Sequence, residues 1–243
     1  MILKAKSTIG LFRLFSTTRT KKSRHNSWLK RLVERLPSHE VFIDAGAGNG
    51  QVTSWFVDAF DRTIAIEPNA LLREDLKKNC PQVKVLPGTI LDADVLVSGD
   101  LVLCSHVLYY IDSSQWMAHL ERLVSWLAAT GVVTVVLQNH DTDCMQMLEY
   151  FFGRRFDLTS LAEMFKRENG DRFEVSLETV PAQVTTSEPT IAYTIAEFML
   201  NLLPITNPFP RSDLEAYVEK HFARPGRCFL FSCDQDFLQI YLK

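Results

Sequence analysis

The chain has no CxxC pair, and no run of about 18 uninterrupted apolar residues of the kind that spans a membrane. Its five cysteines stand at 80, 104, 144, 228 and 233, an odd number scattered along 243 residues. That argues against a disulfide framework or a structural zinc site and fits a reducing compartment. Cys104 lies in an apolar run and reads as a small buried hydrophobe. A secretory hydrophobic region is missing as well, as are internal repeats, low-complexity tracts and an obvious linker. One domain with helical insertions is the simplest organisation. Acid is absent from the first 33 residues, which carry nine Lys and Arg; the rest holds 17 basic against 29 acidic residues. The net charge of -3 gives no global reason to expect nucleic acid as a partner.

What is present begins with apolar content, at 47% enough for a full core. Trp28, Leu29, Leu32, Val33 and Leu36 follow helical spacing and stop before Pro37. From there short apolar runs alternate with helical stretches. Strands are expected at 40–45, 62–66, 83–86, 100–107 and 131–137, and helices at 52–60, 70–80 and 114–129. The strands are apolar throughout rather than alternating, as in a parallel sheet covered on both faces. Beyond residue 138 the pattern changes. Helices are expected at 144–152, 160–168, 191–203 and 212–222, a strand at 173–184, and a closing hairpin or strand over 228–242.

Val41–Gly50 reads VFIDAGAGNG. Glycines between a first strand and a first helix let the backbone approach a ligand closely. The dinucleotide pattern is G-x-G-x-x-G, whereas Gly46, Gly48 and Gly50 fall at every second position and Gln51 stands where the third glycine belongs. Asp44 directly precedes the turn, and a carboxylate there repels a diphosphate. Glu67, ending the second strand before Pro68, is placed to accept ribose hydroxyls. The ligand these residues call for has a ribose, lacks phosphate and carries positive charge, as S-adenosylmethionine does. Plainer readings stand beside this one: a tight strand-to-helix turn, an Asp44 that only caps a helix, and a Glu67 that is a surface acid.

On Asp44, the Gly46-Gly48-Gly50 turn and Glu67, the chain resembles class I S-adenosylmethionine-dependent methyltransferases over roughly residues 40–137. The resemblance implies a Rossmann-like α/β fold: a seven-stranded, mostly parallel sheet with helices on both faces and helical insertions over the active site. It implies S-adenosylmethionine as cofactor, S-adenosylhomocysteine as product, and cofactor contacts from Asp44, Gly46, Gly48, Gly50, Glu67, Pro68 and Ser105. Where that family often has an adenine-binding Asp, this chain has Thr89 and Ile90, which could bond and pack the ring instead.

The fourth strand ends in SHVLYYI. The Asn/Asp-Pro-Pro-aromatic motif of base- and glutamine-directed enzymes is absent there. LYYI resembles the histamine N-methyltransferase family, and the segments after residue 156 follow a similar order. A Gln of that family stands where this chain has His106, which points to a different acceptor. His106 is the base candidate for a neutral amine nucleophile, and Tyr109 and Tyr110 could hold a cation on an aromatic face. His106 also fits a satisfied strand-end histidine, and one of the tyrosines fits core packing.

Asn139 and His140, after the fifth strand, are substrate-binding candidates that also fit a solvated turn. No third ligand accompanies the His140–Asp141 region, so no metal is expected. The N-terminal segment has three readings: a lid with Ile9, Phe12 and Phe15 on one helical face, a mitochondrial presequence, or a basic tail. Residues 1–37 are thus a basic segment and helix, a possible lid that brings Phe15 to the substrate. Residues 38–243 are the methyltransferase domain. The expectation is a cytoplasmic monomer, with a mitochondrial alternative, that methylates nitrogen, or less readily oxygen, of a small molecule without a membrane or nucleic acid. The rival readings are an inactive binding or accessory protein, and an RNA or protein methyltransferase gripping through the basic arm.

Overall fold

In a computed structural model, residues 19–201, 209–226 and 228–243 are described. The apolar runs form strands and the helically spaced stretches form helices, in the order α1 (Arg19–Glu34), β1 (Val41–Ala45), β2 (Arg62–Ile66), α2 (Ala70–Asn79), β3 (Lys84–Leu86), β4 (Gly99–Ser105), α3 (Trp116–Val124) and β5 (Leu127–Gln138). There follow α4 (Asp143–Phe152), α5 (Leu158–Asn169), β6 (Phe173–Val180), β7 (Gln183–Thr186), α6 (Pro189–Leu200), α7 (Arg211–His221), β8 (Ala223–Arg224), β9 (Cys228–Ser232) and β10 (Gln235–Leu242). Phe15, and the lid and presequence readings of the N-terminus, lie outside the described residues.

Two compact units result. The larger comprises Asn26–Leu137, Leu158–Glu178 and Asp236–Lys243. It holds nearly all of a seven-stranded sheet ordered β3-β2-β1-β4-β5-β10-β6. The pairs β1–β2, β1–β4, β2–β3 and β4–β5 are parallel. Phe42, Ile43, Leu101, Val102, Leu103, Val132 and Val133 are fully shielded from solvent, which is why these strands are apolar on both faces. The buried Asp100 carboxylate accepts the backbone N–H of Glu40 and Val41, each at 2.8 Å, tying the start of β1 to β4. On α1, Trp28 stacks on Phe237 of β10 with ring centroids 4.0 Å apart.

The smaller unit comprises Gln138–Asp157 and Thr179–Gln235, with the described residues before Asn26. Its sheet, ordered β7-β9-β8, is antiparallel. Phe231 of β9 packs its ring on that of Phe222, which follows α7, with centroids 4.5 Å apart.

Four expectations need correction. The segment 52–60 is not a regular helix: it is a 3-10 turn, Thr53–Trp55, within a run of turns. Its bonds mix i−3 (Trp55 to Val52, Phe56 to Thr53) with i−4 (Ser54 to Gly50, Val57 to Thr53). β-Branched Val52, Thr53 and Val57 and aromatic Trp55 and Phe56 are poor helix formers, and Phe56 and Phe60 turn inward to pack on Phe42 of β1. The helix expected over 114–129 ends at Val124, because the Trp126 carbonyl and Leu127 already pair with Gly99 of β4. The strand expected over 173–184 is cut at Pro181, which has no N–H to donate; β6 and β7 belong to different sheets. β9 and β10 are not a hairpin but neighbours in sequence in separate sheets, parted at Cys233–Asp234.

Candidate active site

Strand order in the larger unit reverses between β1 and β4, each of which continues outward in its own direction. In an open parallel sheet the crevice at the carboxyl ends of two such strands is where ligands bind. The glycine turn leaves β1 there, and Ser105–Tyr110 leaves β4.

The turn is held by its own amides. Gly46 and Ala47 N–H both donate to the Ile66 carbonyl, at 2.9 and 3.0 Å. Gly48 N–H donates to Glu67 Oε2 at 2.9 Å, and Gly50 N–H to the Ala47 carbonyl at 3.0 Å. Amides that would cradle a diphosphate are therefore already engaged. Gly46 has φ +89°, and a Cβ on it would lie 2.3 Å from Val107 Cγ2, so only glycine fits where the turn passes the β4 end. A Cβ on Gly48 would meet nothing within 4 Å, so that face of the turn is open to a ligand.

Two carboxylates flank this turn. Asp44, in β1, is 2% exposed, and its Oδ2 accepts the Thr53 hydroxyl at 2.6 Å. Burial pushes its pKa from 3.8 to about 7, the Thr53 bond opposes that, and the Glu67 charge adds to the rise. Glu67, at the end of β2, is 6% exposed and accepts Gly48 N–H through Oε2 and Asn69 N–H through Oε1 at 2.8 Å. Each carboxylate oxygen keeps a further lone pair for a hydroxyl hydrogen. Among the described residues neither acid is in an ion pair. Arg73 donates instead to the carbonyls of Glu67 and Pro68.

Pro68 and Thr89 are exposed, and the Thr89 hydroxyl bonds Asp92 Oδ2 at 2.6 Å; Ile90 is buried. Ser105, the last residue of β4, has a buried hydroxyl oxygen without a hydrogen-bond partner. His106 follows with φ +59°, the only non-glycine residue with positive φ among those described. That left-handed conformation is strained for a residue with a Cβ, and it is held by His106 N–H on the Val136 carbonyl at 2.8 Å. The imidazole lies nearly parallel to the Tyr109 ring, centroids 5.8 Å apart.

Tyr109 itself is 2% exposed and packs inward, whereas Tyr110 is 68% exposed. The protein around the Tyr110 hydroxyl, and then the Glu67 charge, raise its pKa. The Trp116 indole N–H donates to the Leu108 and Ile111 carbonyls and so fixes this 3-10 turn.

Asn139 and His140 stand in the smaller unit. Asn139 Oδ1 accepts the Asp141 N–H, and its own N–H donates to the Asp234 carbonyl. His140 lies between Asp141, 3.2 Å from Nε2, and Asp157, 3.4 Å from Nδ1. Among the described residues no three His, Cys, Asp or Glu side chains stand close enough to share a metal ion, and no helix is long and apolar enough to cross a membrane.

The site also uses residues that no motif announced. Asn69 caps α2 through Oδ1 and donates its N–H to Glu67; its place before ALLRED was legible as a helix start. Thr53, nine residues beyond Asp44, had no sequence signal to pair the two.

A family model described as a methyltransferase domain matches residues 43–135, a segment that contains the turn, Glu67 and the β4 end. An uncharacterised methyltransferase of Oceanobacillus iheyensis is 23% identical over 141 residues, 58% of this chain and 65% of that protein's length. A candidate methyltransferase from Bacillus halodurans has TM-score 0.65 at 12% identity, over 88% of this chain and 97% of that one. For the YcgJ protein of Bacillus subtilis the TM-score is 0.61 at 14% identity, over 90% and 98%. For the N-methyltransferase NodS of Bradyrhizobium japonicum, solved with S-adenosyl-L-homocysteine, it is 0.56 at 14% identity, over 91% and 86%. The likeness to these structures is one of fold: the seven-stranded, mostly parallel sheet of the Rossmann-like methyltransferases. Over residues 43–135 the chain is thus similar to a methyltransferase domain, and its fold is the Rossmann-like one.

Proposed function

We propose that the chain transfers a methyl group from S-adenosylmethionine to a nitrogen of a small molecule. The observation that carries this reading is the pair of buried carboxylates, Asp44 and Glu67, on a glycine turn whose amides are already engaged. Such a niche disfavours phosphate, and among the described residues no cation pairs with either carboxylate. The open face of Gly48 and the unpartnered Ser105 hydroxyl fit the same ligand.

S-adenosylmethionine supplies a methyl carbon already activated by its sulfonium. Glu67 accepts the ribose hydroxyls, Asp44 supplies the negative potential, and Ile90 offers an apolar contact for the adenine ring. The remaining task is to align the nucleophile and exclude water, and alignment is worth up to about 7–11 kcal/mol of barrier. An amine must be neutral to attack, and the His106 imidazole is the group at the β4 end that can take its proton. Tyr109 positions that imidazole by lying against it, and the exposed Tyr110 ring offers a face to the acceptor's cation. The LYYI stretch, on which the resemblance to histamine N-methyltransferases rests, is this turn. Asn139 and His140 are assigned to the acceptor on sequence grounds.

Calorimetry tests the cofactor. The wild-type chain should bind S-adenosylmethionine in the micromolar range, and Glu67→Ala should lose that heat while still melting cooperatively, at a lower temperature because the Gly48 and Asn69 N–H groups lose their acceptor. A wild-type chain that gives neither heat nor thermal shift at millimolar ligand ends the reading. Mass spectrometry of a cell extract incubated with the protein and isotope-labelled donor then identifies the acceptor. Binding without any labelled product supports a non-catalytic role instead.

A further inference from the structure

Asp44 is the group in this site whose charge is hardest to maintain. It sits in mid-sheet, level with Ala65 of β2 and Leu103 of β4, whose side chains have no polar group to offer its carboxylate. Among the described residues, the titratable groups whose charge acts with that of Asp44 are Glu67 at the end of β2, Cys104 in β4 and Cys80 at the end of α2. All three are acids, and the thiols of Cys80 and Cys104 are themselves pushed up by burial and then by the Asp44 charge. One contact favours the ionised form: the hydroxyl of Thr53, 2.6 Å from Oδ2 and fully buried. Thr53 is the buried first residue of the 3-10 turn that follows the glycine turn.

From this geometry we infer that Thr53 is a positioning residue of the cofactor pocket. Its hydroxyl aims the Asp44 carboxylate and favours its ionised form, and the cationic cofactor binds with release of a proton from Asp44 to solvent. The inference rests on the cofactor proposed above. It follows from the balance at Asp44: burial and Glu67 drive the carboxyl toward protonation, Thr53 opposes them, and among the described residues no cation pairs with it. A bound cation supplies the missing charge and completes the ionisation. Affinity should therefore climb with pH up to the Asp44 midpoint and level off above it.

Two measurements test this, one of them without ligand. Carbon-13 NMR of the free protein should show Asp44 titrating near pH 7. Thr53→Val should move that midpoint up by about one unit, as loss of a bond to a charged group does. Thr53→Ser, which keeps the hydroxyl, should stay within a few tenths of wild type. Calorimetry with S-adenosylmethionine, just below the midpoint and in two buffers of different ionisation heat, should give unequal heats, the signature of proton release. At neutral pH Thr53→Val should bind about fivefold more weakly, approaching tenfold well below the midpoint, where a one-unit shift is a factor of ten, and Thr53→Ser should restore the affinity. A Thr53→Val midpoint equal to wild type, or equal heats in both buffers, overturns the inference. No heat from the wild-type chain at any pH overturns the cofactor reading itself, and proton-coupled binding with it.

Discussion

Burial gives Asp44 a pKa of about 7 in the folded chain, against 3.8 for the free side chain. The folded state thus holds the proton more tightly than the unfolded state. The stability this contributes is fully present below about pH 3.8, falls as pH rises, and is gone above about pH 7. The span is of order 4 kcal/mol. Asp44→Asn removes the titration while leaving an oxygen for the Thr53 hydroxyl. Its melting temperature should exceed wild type at about pH 8 and match it more closely near pH 5, while cofactor binding is lost. Melts of both proteins across that range check the sign; a variant less stable at the higher pH contradicts it. At this scale the candidate site could be named from local pattern. Asp44, Glu67 and the three glycines could be named because a carboxylate beside a glycine turn is a local, chemically loaded pattern. Thr53 could not, because its partner is set by a turn geometry that is not written in the spacing.

Helix α1 shows how an element is tied down. Trp28, Leu29, Leu32 and Val33 are buried, at the helical spacing visible in the sequence, and Trp28 stacks on Phe237. Trp28→Ala should cost about 3–5 kcal/mol, as aromatic deletions in packed cores do. Leu96→Ala, at a residue 81% exposed, should stay within about 0.5 kcal/mol. Denaturant midpoints separate the two. Element type was legible where a short apolar run or a helically spaced stretch was bounded by Gly or Pro, as in β1, β2 and α2. It failed where neighbours in space overrode it. Residues 52–60 gave up a regular helix to pack Phe56 and Phe60 under β1, and 228–242 split because each half pairs with a different sheet. Pro181 was a local stop signal for β6, and only the sheet assignments gave it its consequence.

Across the whole molecule, the two compact units predict two levels of protection. Hydrogen exchange should find the β1 and β4 amides slowest, since each strand is bonded on both sides and buried on both faces. β8, two exposed residues at a sheet edge, should exchange early. Uniform exchange through β1, β4 and β8 contradicts this. Sequence alone determined the strand–helix alternation, the parallel sheet it implies, and the acidic glycine turn, because each depends on residues within a few positions of one another. Only the tertiary structure decided which strands lie side by side, that Tyr109 turns in while Tyr110 turns out, and that Thr53 meets Asp44. Those outcomes depend on what lies across the sheet or above the strand end, and distance along the chain does not encode it.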